Sequence, residues 1–351
     1  MTKKNGRLTY AEINEQTAAF RSVNEHFDHI AATFEKVFGE VRPEEVIFTG
    51  CGTSLYLAQT SSAAFSYYNR ISSKVVPCSE LFFFPETYIK DKRVLVVPIT
   101  RRSDTTEVKM AVRKAREYPN VKTLAVTCDE GSKAYNDYYV LSPNAKEGSI
   151  VMTKSFTSML YVNVMMALFV AGQNDLLEQL KETPAVCAKW MDTFDGVARQ
   201  IVEENSNLNL YITLGQGAFY GIANEAMNKI KEMAIANSEA YYSLEYRHGP
   251  MALADSNTLV TLLASDTKGE MEENLMKELK EIGAKIFMVG DRLSENAKQY
   301  ADYAIELQCG FNDFQRAPLV SIAGQFIGYH AALNKGLDLD SPRNLAQAII
   351  L

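Results

Sequence analysis

The chain has 351 residues, of which 47% are hydrophobic and 23% are charged, and its formal net charge is -7. This length is sufficient for two domains with a large buried core, in a composition typical of soluble globular proteins. The negative charge argues against a basic nucleic-acid-binding surface and no apolar run is long enough to span a bilayer, so neither nucleic acid nor membrane is an expected partner.

The chain begins with a predicted helical leader over residues 1–34. Its first residues, MTKKNGRLTYAEINEQ, lack the apolar segment of a signal peptide, which indicates a cytoplasmic protein. The cysteines that follow are scattered and form no CxxC pair, so we expect reduced thiols and no zinc site or other metal centre. They are Cys51, Cys78, Cys128, Cys187 and Cys309.

Apolar runs of strand length follow the leader and alternate with helical stretches. The first set is VIFTG (46–50), RVLVVPIT (93–100), VKTLAVTCD (121–129) and DYYVLSP (137–143). The second set is LNLYITLGQG (208–217), TLVTLLASD (258–266), AKIFMVGD (284–291) and DYAIELQ (302–308). Because these runs do not alternate with polar residues, they predict parallel strands buried on both faces and joined by right-handed crossover helices.

The two sets repeat in register. One offset of 165 residues separates three pairs of strand-end residues: Gly50 and Gly215, Thr100 and Ser265, and Asp137 and Asp302. This register predicts an α/β protein with two copies of one module, each a doubly wound parallel sheet flanked by helices in three layers.

The repeat sets the predicted domain organisation. It comprises the leader (1–34), a first domain (35–185), a linker helix (186–207), a second domain (208–338) and a C-terminal tail (339–351). Within the second domain, the charged stretch KGEMEENLMKELKEIGAK is predicted to be a solvated helix face without a function.

Hydroxyl-rich loops follow the first two predicted strands. GCGTS (50–54) and TRRSDTTE (100–107) lie where parallel α/β sheets bind ligands, beyond the carboxyl ends of strands and at helix N-termini. Backbone amides, helix dipoles and hydroxyls there favour a phosphate, and Arg101 or Arg102 could add a charged fork. The alternative is that the hydroxyls only cap helices, which Ser and Thr commonly do. The residues concerned are Thr53, Ser54, Thr100, Ser103 and Thr105.

A dinucleotide site is disfavoured at the first loop. GCGTSL has Leu55 where the pattern GxGxxG requires its third glycine, and the chain contains no Walker A pattern. The phosphate expected at these loops therefore belongs to a small molecule.

A second group of candidate residues lies in NEAMNKIKEMAIANSEAYYSLEYRHGP (224–250). On a helix, Glu225, Lys229 and Glu232 share one face at positions i, i+4 and i+7. Surface salt bridges are the usual reason for such spacing, but this helix follows the glycine-rich strand end LGQG, and His248 lies beside a Gly-Pro turn. A carboxylate and a histidine are the minimum for moving protons around a carbonyl carbon. The other histidines are predicted to be structural: His26, His29 and His330.

At these motifs the chain resembles the tandem sugar isomerase (SIS) domain family, in particular the isomerase half of glucosamine-6-phosphate synthase and its deglycase and deaminase relatives. GCGTS is similar to the family's first phosphate loop, and EGSIVMTKSFT (147–157) resembles the segment that closes over the sugar. EAMNKIKE, SEAYYSLEYRHGP and the tail DSPRNLA (340–346) are also similar to synthase motifs. The resemblance covers nearly the whole chain and implies a phosphosugar-processing enzyme that uses no cofactor.

The resemblance assigns roles to individual positions. Glu232 matches the carboxylate that moves a proton between C1 and C2, and Lys229 matches a lysine that supports the intermediate. His248 matches the ring-opening histidine, which in the family reaches into the neighbouring subunit's site, so an obligate homodimer with shared active sites is implied. The implied phosphate ligands are Ser54, Thr100 and Thr105 with Arg102 and Ser103 nearby, and the implied sugar contacts are Gly52, Thr53, Glu147 and Gln347.

Two departures from the family pattern concern the expected substrate contacts. The family loop reads Ser-x-Ser-Gly-x-Thr, and here Arg102 stands at the second serine and Ser103 at the glycine, so a permanent charge is gained and easy backbone approach is lost. Gln347 replaces a synthase lysine able to assist ring opening, and glutamine can neither ionise nor form an imine.

Two further departures concern the start of the chain and the histidine turn. Thr2 follows Met1 where the synthase has a cysteine, and we expect no glutaminase domain ahead of the two modules and no ammonia production from glutamine by that route. Leu244 replaces a glycine just ahead of the turn that carries His248, which is expected to alter that turn.

The leading hypothesis is an enzyme that acts on an amino-sugar or fructosamine 6-phosphate by proton transfer at C1 and C2. Three reactions fit: deglycation to glucose 6-phosphate and an amine, deamination of glucosamine 6-phosphate, and aldose-ketose isomerisation. Deglycation and deamination need no ammonia source and rank above synthesis. The alternative is a sugar-phosphate sensor without turnover, in which Arg102 and Gln347 mark an eroded site; the helix face shared by Glu232 and Lys229 argues against it.

Overall fold

The computed structural model describes residues 6–267 and 269–350. Residues 1–5 of the predicted leader, including Thr2, lie outside the described residues, as do Lys268 of the charged stretch and Leu351 of the predicted tail. Helices α1 (Arg7–Asn14), α2 (Gln16–Glu25) and α3 (Phe27–Val41) open the described chain. The helical segment continues past residue 34 because the apolar stripe of α3 does so; its buried positions are Phe27, Ile30, Phe34, Val37 and Val41.

The first sheet is parallel and has five strands in the order β2-β1-β3-β4-β5. Its strands are β1 (Glu45–Thr49), β2 (Ser72–Val75), β3 (Val94–Thr100), β4 (Val121–Thr127) and β5 (Tyr138–Leu141). The helices of this half are α4 (Thr53–Tyr68), α5 (Cys78–Phe83), α6 (Pro85–Tyr88), α7 (Thr106–Ala115), α8 (Lys154–Val170) and α9 (Asn174–Leu180). Helix α10 (Thr183–Glu204) follows and, from Ala185 onward, belongs to the unit of the second sheet.

The second sheet repeats this topology. Its strands are β6 (Leu210–Gly215), β7 (Asn237–Tyr241), β8 (Thr258–Leu263), β9 (Lys285–Gly290) and β10 (Tyr303–Glu306). Their order, β7-β6-β8-β9-β10, matches that of the first sheet strand for strand, and all pairings are parallel. The helices of this half are α11 (Tyr220–Lys229), α12 (Gly269–Ile282), α13 (Glu295–Tyr300) and α14 (Asp313–Asn334). The predicted fold class, two doubly wound parallel modules, is confirmed.

The chain folds into two compact units. The first-sheet unit comprises residues 15–148, 154–184 and those from 346 onward; the second-sheet unit comprises the described residues up to 14, 149–153 and 185–345. The predicted boundaries of the two domains, 35–185 and 208–338, stay predictions. In the described ranges, no helix combines the length and the apolar character that crossing a bilayer requires.

Side chains related by the repeat serve the same purpose in both sheets. Asp137 accepts a hydrogen bond from the backbone N–H of Thr123 in β4 at 2.9 Å, and Asp302 accepts one from Ile286 in β9 at the same distance. Gly50 and Gly215 each pack against the helix that follows: a Cβ atom would lie 2.7 Å from the carbonyl carbon of Ser54 at Gly50, and 2.5 Å from the carbonyl oxygen of Phe219 at Gly215. The repeat seen in the sequence is therefore a structural repeat.

Two strands were not predicted, and both lie at sheet edges. The sequence of β2 is SSKV, partly exposed at every position, and that of β7 is NSEAY. An edge strand has one strand neighbour and is only partly covered, so it needs no continuous apolar run. Apolar runs therefore identify the central strands of such a sheet and miss polar edges.

Candidate active site

The two hydroxyl-rich loops lie at the switch point of the first sheet. Strand β1 pairs with β2 on one side and β3 on the other, so the crossovers that leave β1 and β3 run on opposite sides of the sheet. Ligands of open α/β sheets bind in the crevice at this point. The loops 50–53 and 101–105 lie here, each leading into a helix, α4 and α7 respectively.

The helix starts at these loops are not capped by side chains. Gly52, at φ +53°, is the N-cap of α4 and has no side chain to offer, and Thr105 is the N-cap of α7 but makes no side-chain capping bond. The hydroxyls of Thr53 and Ser54 are in the first turn of α4, on residues that are buried. The capping alternative therefore does not explain Thr105, and the positive ends of both helix dipoles lie at the switch point.

Arg101 and Glu147 form a buried ion pair beside these loops. Arg101 Nη1 lies 3.2 Å from Glu147 Oε2, and Nη2 donates to the main-chain carbonyl of Gln347 at 3.1 Å. Glu147 also accepts from the backbone N–H of Ser155 at 3.1 Å and from its hydroxyl at 2.5 Å. A sugar contact by Glu147 would require one of these bonds to be exchanged.

Arg102 is held by a second carboxylate and by the tail. Its Nε and Nη2 donate to the two oxygens of Asp104 at 3.0 and 2.6 Å, and Nη1 donates to Gln347 Oε1 at 2.8 Å. The hydrogen bond from Arg102 lowers the pKa of Asp104, so this carboxylate stays ionised in mildly acidic solution. The side chain of Arg102 remains partly exposed, but its guanidinium is already paired with the carboxylate of Asp104.

Two hydroxyls of the second loop also have internal acceptors. Thr100 Oγ1 donates to the carbonyl of Arg102 at 2.5 Å. Ser103 donates to Asp129 Oδ2 from its hydroxyl at 2.6 Å and from its backbone N–H at 3.0 Å. The hydrogen bond from the Ser103 hydroxyl is the main cause that lowers the pKa of Asp129. Asp129 was not predicted as a site residue, although the sequence places it at the end of the strand next to this loop.

The C-terminal tail is attached to the same loops. Gln347 Nε2 donates to the carbonyl of Gly148 at 2.6 Å, and the carbonyl of Ile349 accepts the backbone N–H of Thr106, the first residue of α7, at 3.1 Å. Gln347 therefore bridges the arginine loop and the segment that begins at Glu147. Gln347 and Ile349, near the end of the predicted tail, lie with the predicted phosphate loops in the first-sheet unit, whereas residues 340–345 belong to the second-sheet unit.

Lys229 is the centre of the candidate residues in the second-sheet unit. Its ammonium is fully buried and lies 3.2 Å from Glu225 Oε1 and 2.5 Å from Glu232 Oε2, as the helical spacing predicts. Burial, the largest single effect, lowers the pKa of Lys229, but the two carboxylates together outweigh it and the net shift is upward. Lys229 is therefore a permanent cation at neutral pH.

The backbone changes its helix type at Glu232. Helix α11 ends at Lys229 and continues as a π-helical turn over Ile230–Ala234, after which Ile235 adopts a left-handed conformation at φ 48°. Such turns often occur at functional sites, and a branched residue rarely adopts this backbone. Glu232 is 23% exposed, so one side of its carboxylate is bound to Lys229 while part of it stays open.

His248 ends the 3₁₀ turn Ser243–Arg247 and is exposed to solvent. Its backbone N–H donates to the carbonyl of Glu245 at 3.0 Å. Leu244 lies inside this turn, where an L-residue meets no strain, and Gly249 takes the positive φ of 125°. Leu244 therefore introduces no left-handed backbone here, and the expected effect of this replacement on the turn stays a prediction.

The other histidines make local or structural contacts. His330 Nε2 lies 2.5 Å from Asp195 Oδ1, and Asp195 Oδ2 accepts the hydroxyl of Tyr10 at 2.8 Å. His26 Nδ1 lies 2.8 Å from the carbonyl of Ser22 at the junction of α2 and α3, and His29 is exposed.

The corresponding strand end of the second sheet is filled by its own charged side chains. Ser265 Oγ, the repeat partner of the Thr100 hydroxyl, donates to Asp313 at 2.6 Å. The buried Arg316 pairs with Asp313 at 2.6 Å and with Asp266 at 2.5 Å. Glu272 accepts from the hydroxyl of Ser243 at 2.8 Å and from the N–H of Ser265 at 3.3 Å.

Glu272 lies in the stretch predicted to be a solvated helix face. It is 1% exposed, and burial raises its pKa to about 7. The prediction was wrong for this position. A carboxylate on a charged helix can be buried when hydrogen-bond donors from other parts of the chain satisfy it, here the hydroxyl of Ser243 and the N–H of Ser265.

The model of the SIS domain family matches residues 41–169 and 207–335. The chain belongs to the SIS domain family. Each match starts shortly before the first strand of one sheet, β1 or β6, so both sheets of this SIS protein are copies of the same domain. The resemblance seen in the sequence is confirmed.

Relatives of this SIS protein act on sugar phosphates. It is 29% identical over 99% of its length to the glutamine–fructose-6-phosphate aminotransferase (isomerizing) of Methanothermobacter thermautotrophicus, of which it covers 58%. The chain thus spans little more than half of that curated relative. It is 28% identical to the crystal structure of glucosamine-6-phosphate deaminase from Thermotoga maritima, with a TM-score of 0.80 and coverage of 98% and 99%. Tagatose-6-phosphate ketose/aldose isomerase from Escherichia coli, at 20% identity and a TM-score of 0.83 over 99% and 97% of the chains, shares the fold.

Proposed function

We propose that this SIS protein is an enzyme that acts on an amino-sugar or fructosamine 6-phosphate by moving a proton between C1 and C2. The observation that carries the proposal is the buried ammonium of Lys229 bound to the partly open carboxylate of Glu232. Burying a charged ammonium costs free energy unless the charge is paired. A salt bridge that served only helix stability could lie at the surface, so the burial of Lys229 points to a further role. Glu232 is the proposed base, and Lys229 is proposed to support the negative charge that develops on the substrate.

The first-sheet unit is proposed to hold the phosphate. Ser54, Thr100 and Thr105 supply hydroxyls, and the N-termini of α4 and α7 supply backbone amides. Because Asp129 already accepts both donors of Ser103, that serine is proposed to shape the loop rather than to touch the phosphate. His248, exposed in this chain, is proposed to assist ring opening in a neighbouring subunit of a homodimer.

Three reactions remain within this class: deglycation, deamination and aldose-ketose isomerisation. Nuclear magnetic resonance of products separates them, with the full chain incubated in turn with glucosamine 6-phosphate, fructose 6-phosphate and a 6-phosphorylated fructosamine of an amino acid. Released ammonia identifies a deaminase, a released amino acid identifies a deglycase, and an aldose product alone identifies an isomerase. If the ligands stabilise the protein thermally but no sample contains product, the result would favour a sugar-phosphate sensor over an enzyme.

The role of Glu232 has its own test. Glu232→Gln is expected to lower kcat by about 10²- to 10⁴-fold because the proposed base can no longer accept a proton. Glu295→Gln, which changes an exposed surface glutamate, is the matched control and is expected to keep kcat. Full turnover by Glu232→Gln would show that another group moves the proton.

A further inference from the structure

Two cysteines lie side by side where strand β1 ends. The parallel register sets Phe48 opposite Val75, an offset of 27 residues, and the N–H of Cys78 donates to the carbonyl of Gly50 at 3.4 Å, which continues this pairing beyond the strands. The same offset sets Cys51 opposite Cys78. Adjacent strands lie about 4.8 Å apart, and the Cα atoms of disulfide-bonded cysteines lie about 4.4–6.8 Å apart. The register therefore brings the two backbones into the range from which a disulfide can form.

The side chains of the pair also face one another. The thiols of Cys51 and Cys78 share a hydrogen bond, and Thr49 Oγ1 lies 3.4 Å from Cys78 Sγ. This shared bond lowers the pKa of Cys78 and raises that of Cys51, so the pair releases its first proton more readily than its second. Cys78 is buried and Cys51 is partly exposed, so a reagent meets the pair at Cys51.

The other partly exposed thiol has a different environment. Cys309 Sγ lies 3.2 Å from Asp291 Oδ1, and burial together with this carboxylate raises the pKa of Cys309 to about 12. The sulfur of Cys309 thus contacts a carboxylate, whereas the sulfur of Cys51 is bonded to a second thiol that can take up its proton. Cys309 is therefore the natural control for the pair.

We propose that Cys51 and Cys78 form a reversible disulfide when the protein meets an oxidised low-molecular-weight disulfide, and that this bond weakens ligand binding at the GCGTS loop. The first part stands on the geometry of the pair alone. The second part rests on the proposed function, because it takes the loop to be a phosphate site.

The exchange is balanced without any further reactant. The pair loses its first proton from Cys78. The Cys51 sulfur then attacks one sulfur of the small disulfide R–S–S–R while its own proton passes to the Cys78 thiolate, so that one R–S⁻ leaves and a mixed disulfide remains on Cys51. Cys78 then loses its proton and attacks the Cys51 sulfur, and the second R–S⁻ leaves. Two electrons pass from the two cysteines to the small disulfide, and both R–S⁻ ions take up the released protons.

The bond would move the first turn of α4. The carbonyl of Cys51 accepts the backbone N–H of Ser54 at 3.1 Å, and Gly52 between them is the N-cap of the helix. A disulfide is about 2.0 Å long, well inside the contact distance of two non-bonded sulfurs, so forming it draws Cys51 towards Cys78. The Ser54 amide and hydroxyl shift with it, away from the position that serves an anion. Displacements near 1 Å are sufficient to cost about 10²-fold at a site that depends on orientation.

The test uses the full chain, reduced, freed of reductant and incubated with oxidised glutathione. Unreacted thiols are then blocked, and intact and peptide masses are measured. The expected result is a loss of two hydrogen atoms and a cross-linked peptide that joins Cys51 and Cys78, both reversed by dithiothreitol. Cys78→Ser is expected to stop at a glutathione adduct on Cys51, whereas Cys309→Ser is expected to oxidise like the parent. A stable glutathione adduct on the parent, or no reaction at Cys51, would overturn the proposal.

The consequence for binding is measured separately. Thermal stabilisation by glucosamine 6-phosphate is compared between the reduced and the oxidised protein, and the apparent affinity is expected to fall at least about tenfold on oxidation. Equal stabilisation of both forms would overturn the second part and leave the bond itself intact. If the reduced protein shows no stabilisation, the proposed function and the regulatory part fail together, while the mass measurement still decides whether the disulfide forms.

Discussion

Removing the Lys229 ammonium tests whether the cluster in the second-sheet unit is a true buried ion network. Lys229 is 0% exposed, Glu225 is 1% exposed and Glu232 is 23% exposed, so two acids would be left close together with little access to water. Breaking a buried pair by removing one partner costs about 3–5 kcal/mol. At about 2–4 °C per kcal/mol for a unit of this size, Lys229→Met is expected to lower Tm by about 6–20 °C at pH 7.

The pH dependence of this loss has a definite sign. The folded-state pKa of Lys229 is raised, so its charge stabilises the fold fully below the unfolded-state pKa of about 10.4, and that contribution is lost as the pH rises through the folded value. The gap in Tm between the parent and Lys229→Met should therefore be constant from pH 7 to pH 9 and should close above about pH 10.4.

Thermal unfolding followed by circular dichroism measures this gap, with two accompanying variants. Lys298→Met removes an exposed lysine that pairs with Glu295 and Glu306, and is expected to change Tm little. Glu225→Gln added to Lys229→Met should recover part of the loss, because a neutral amide replaces a buried charge. A Tm for Lys229→Met that matches the parent would refute the reasoning, since the network would then contribute no net stability.

Three further outcomes are expected. Burial raises the pKa of Glu272 to about 7, so folding takes up a proton there, and the stability that this group contributes is lost as the pH rises from about 4.5 to 7. Over that interval the free energy of unfolding of Glu272→Gln, measured by urea denaturation, should rise relative to that of the parent by up to about 3 kcal/mol. Gln347→Lys places an ammonium beside two guanidinium groups and should speed hydrogen exchange at the Thr106 amide, which Gln347→Glu should leave slow. Gly50→Ala forces a Cβ to within 2.7 Å of the Ser54 carbonyl carbon and should lower Tm. Gly196→Ala is the control: it lies in α10 with open space around it and should raise the free energy of unfolding by about 0.5–1 kcal/mol. Equal effects of the two substitutions would contradict the packing argument.

The features that could be predicted from the sequence are those that depend on local period and repeat. Central strands such as Val94–Thr100 are apolar along their whole length because both faces are covered, and Lys229 contacts Glu225 and Glu232 because helical spacing brings them onto one face. The strand order was not predicted, but the 165-residue repeat already required both sheets to share it.

The features that could not be predicted depend on partners distant in sequence. Ser103 was expected to face a ligand, and its donors instead meet Asp129, brought next to it by the pairing of β3 with β4. Arg101 was considered only as a fork for an anion, and it is buried against Glu147, which lies 46 residues away. A loop motif identifies the chemical groups that are available, whereas the tertiary fold decides which of them already have partners.

The filled strand end of the second sheet has a consequence for stoichiometry. Duplication of one module supplies two equivalent switch points, yet at the second one Asp313 and Glu272 already accept the donors of Ser265, and Arg316 neutralises the carboxylates around it. An anion at the strand end of the second sheet would be repelled by the carboxylates of Asp313 and Glu272. At the first sheet it would instead meet helix N-termini whose amides no side chain caps. The two strand ends therefore differ in the charge that they present, and under the proposed function calorimetric titration should count one sugar phosphate per chain where the symmetry of the fold alone would give two.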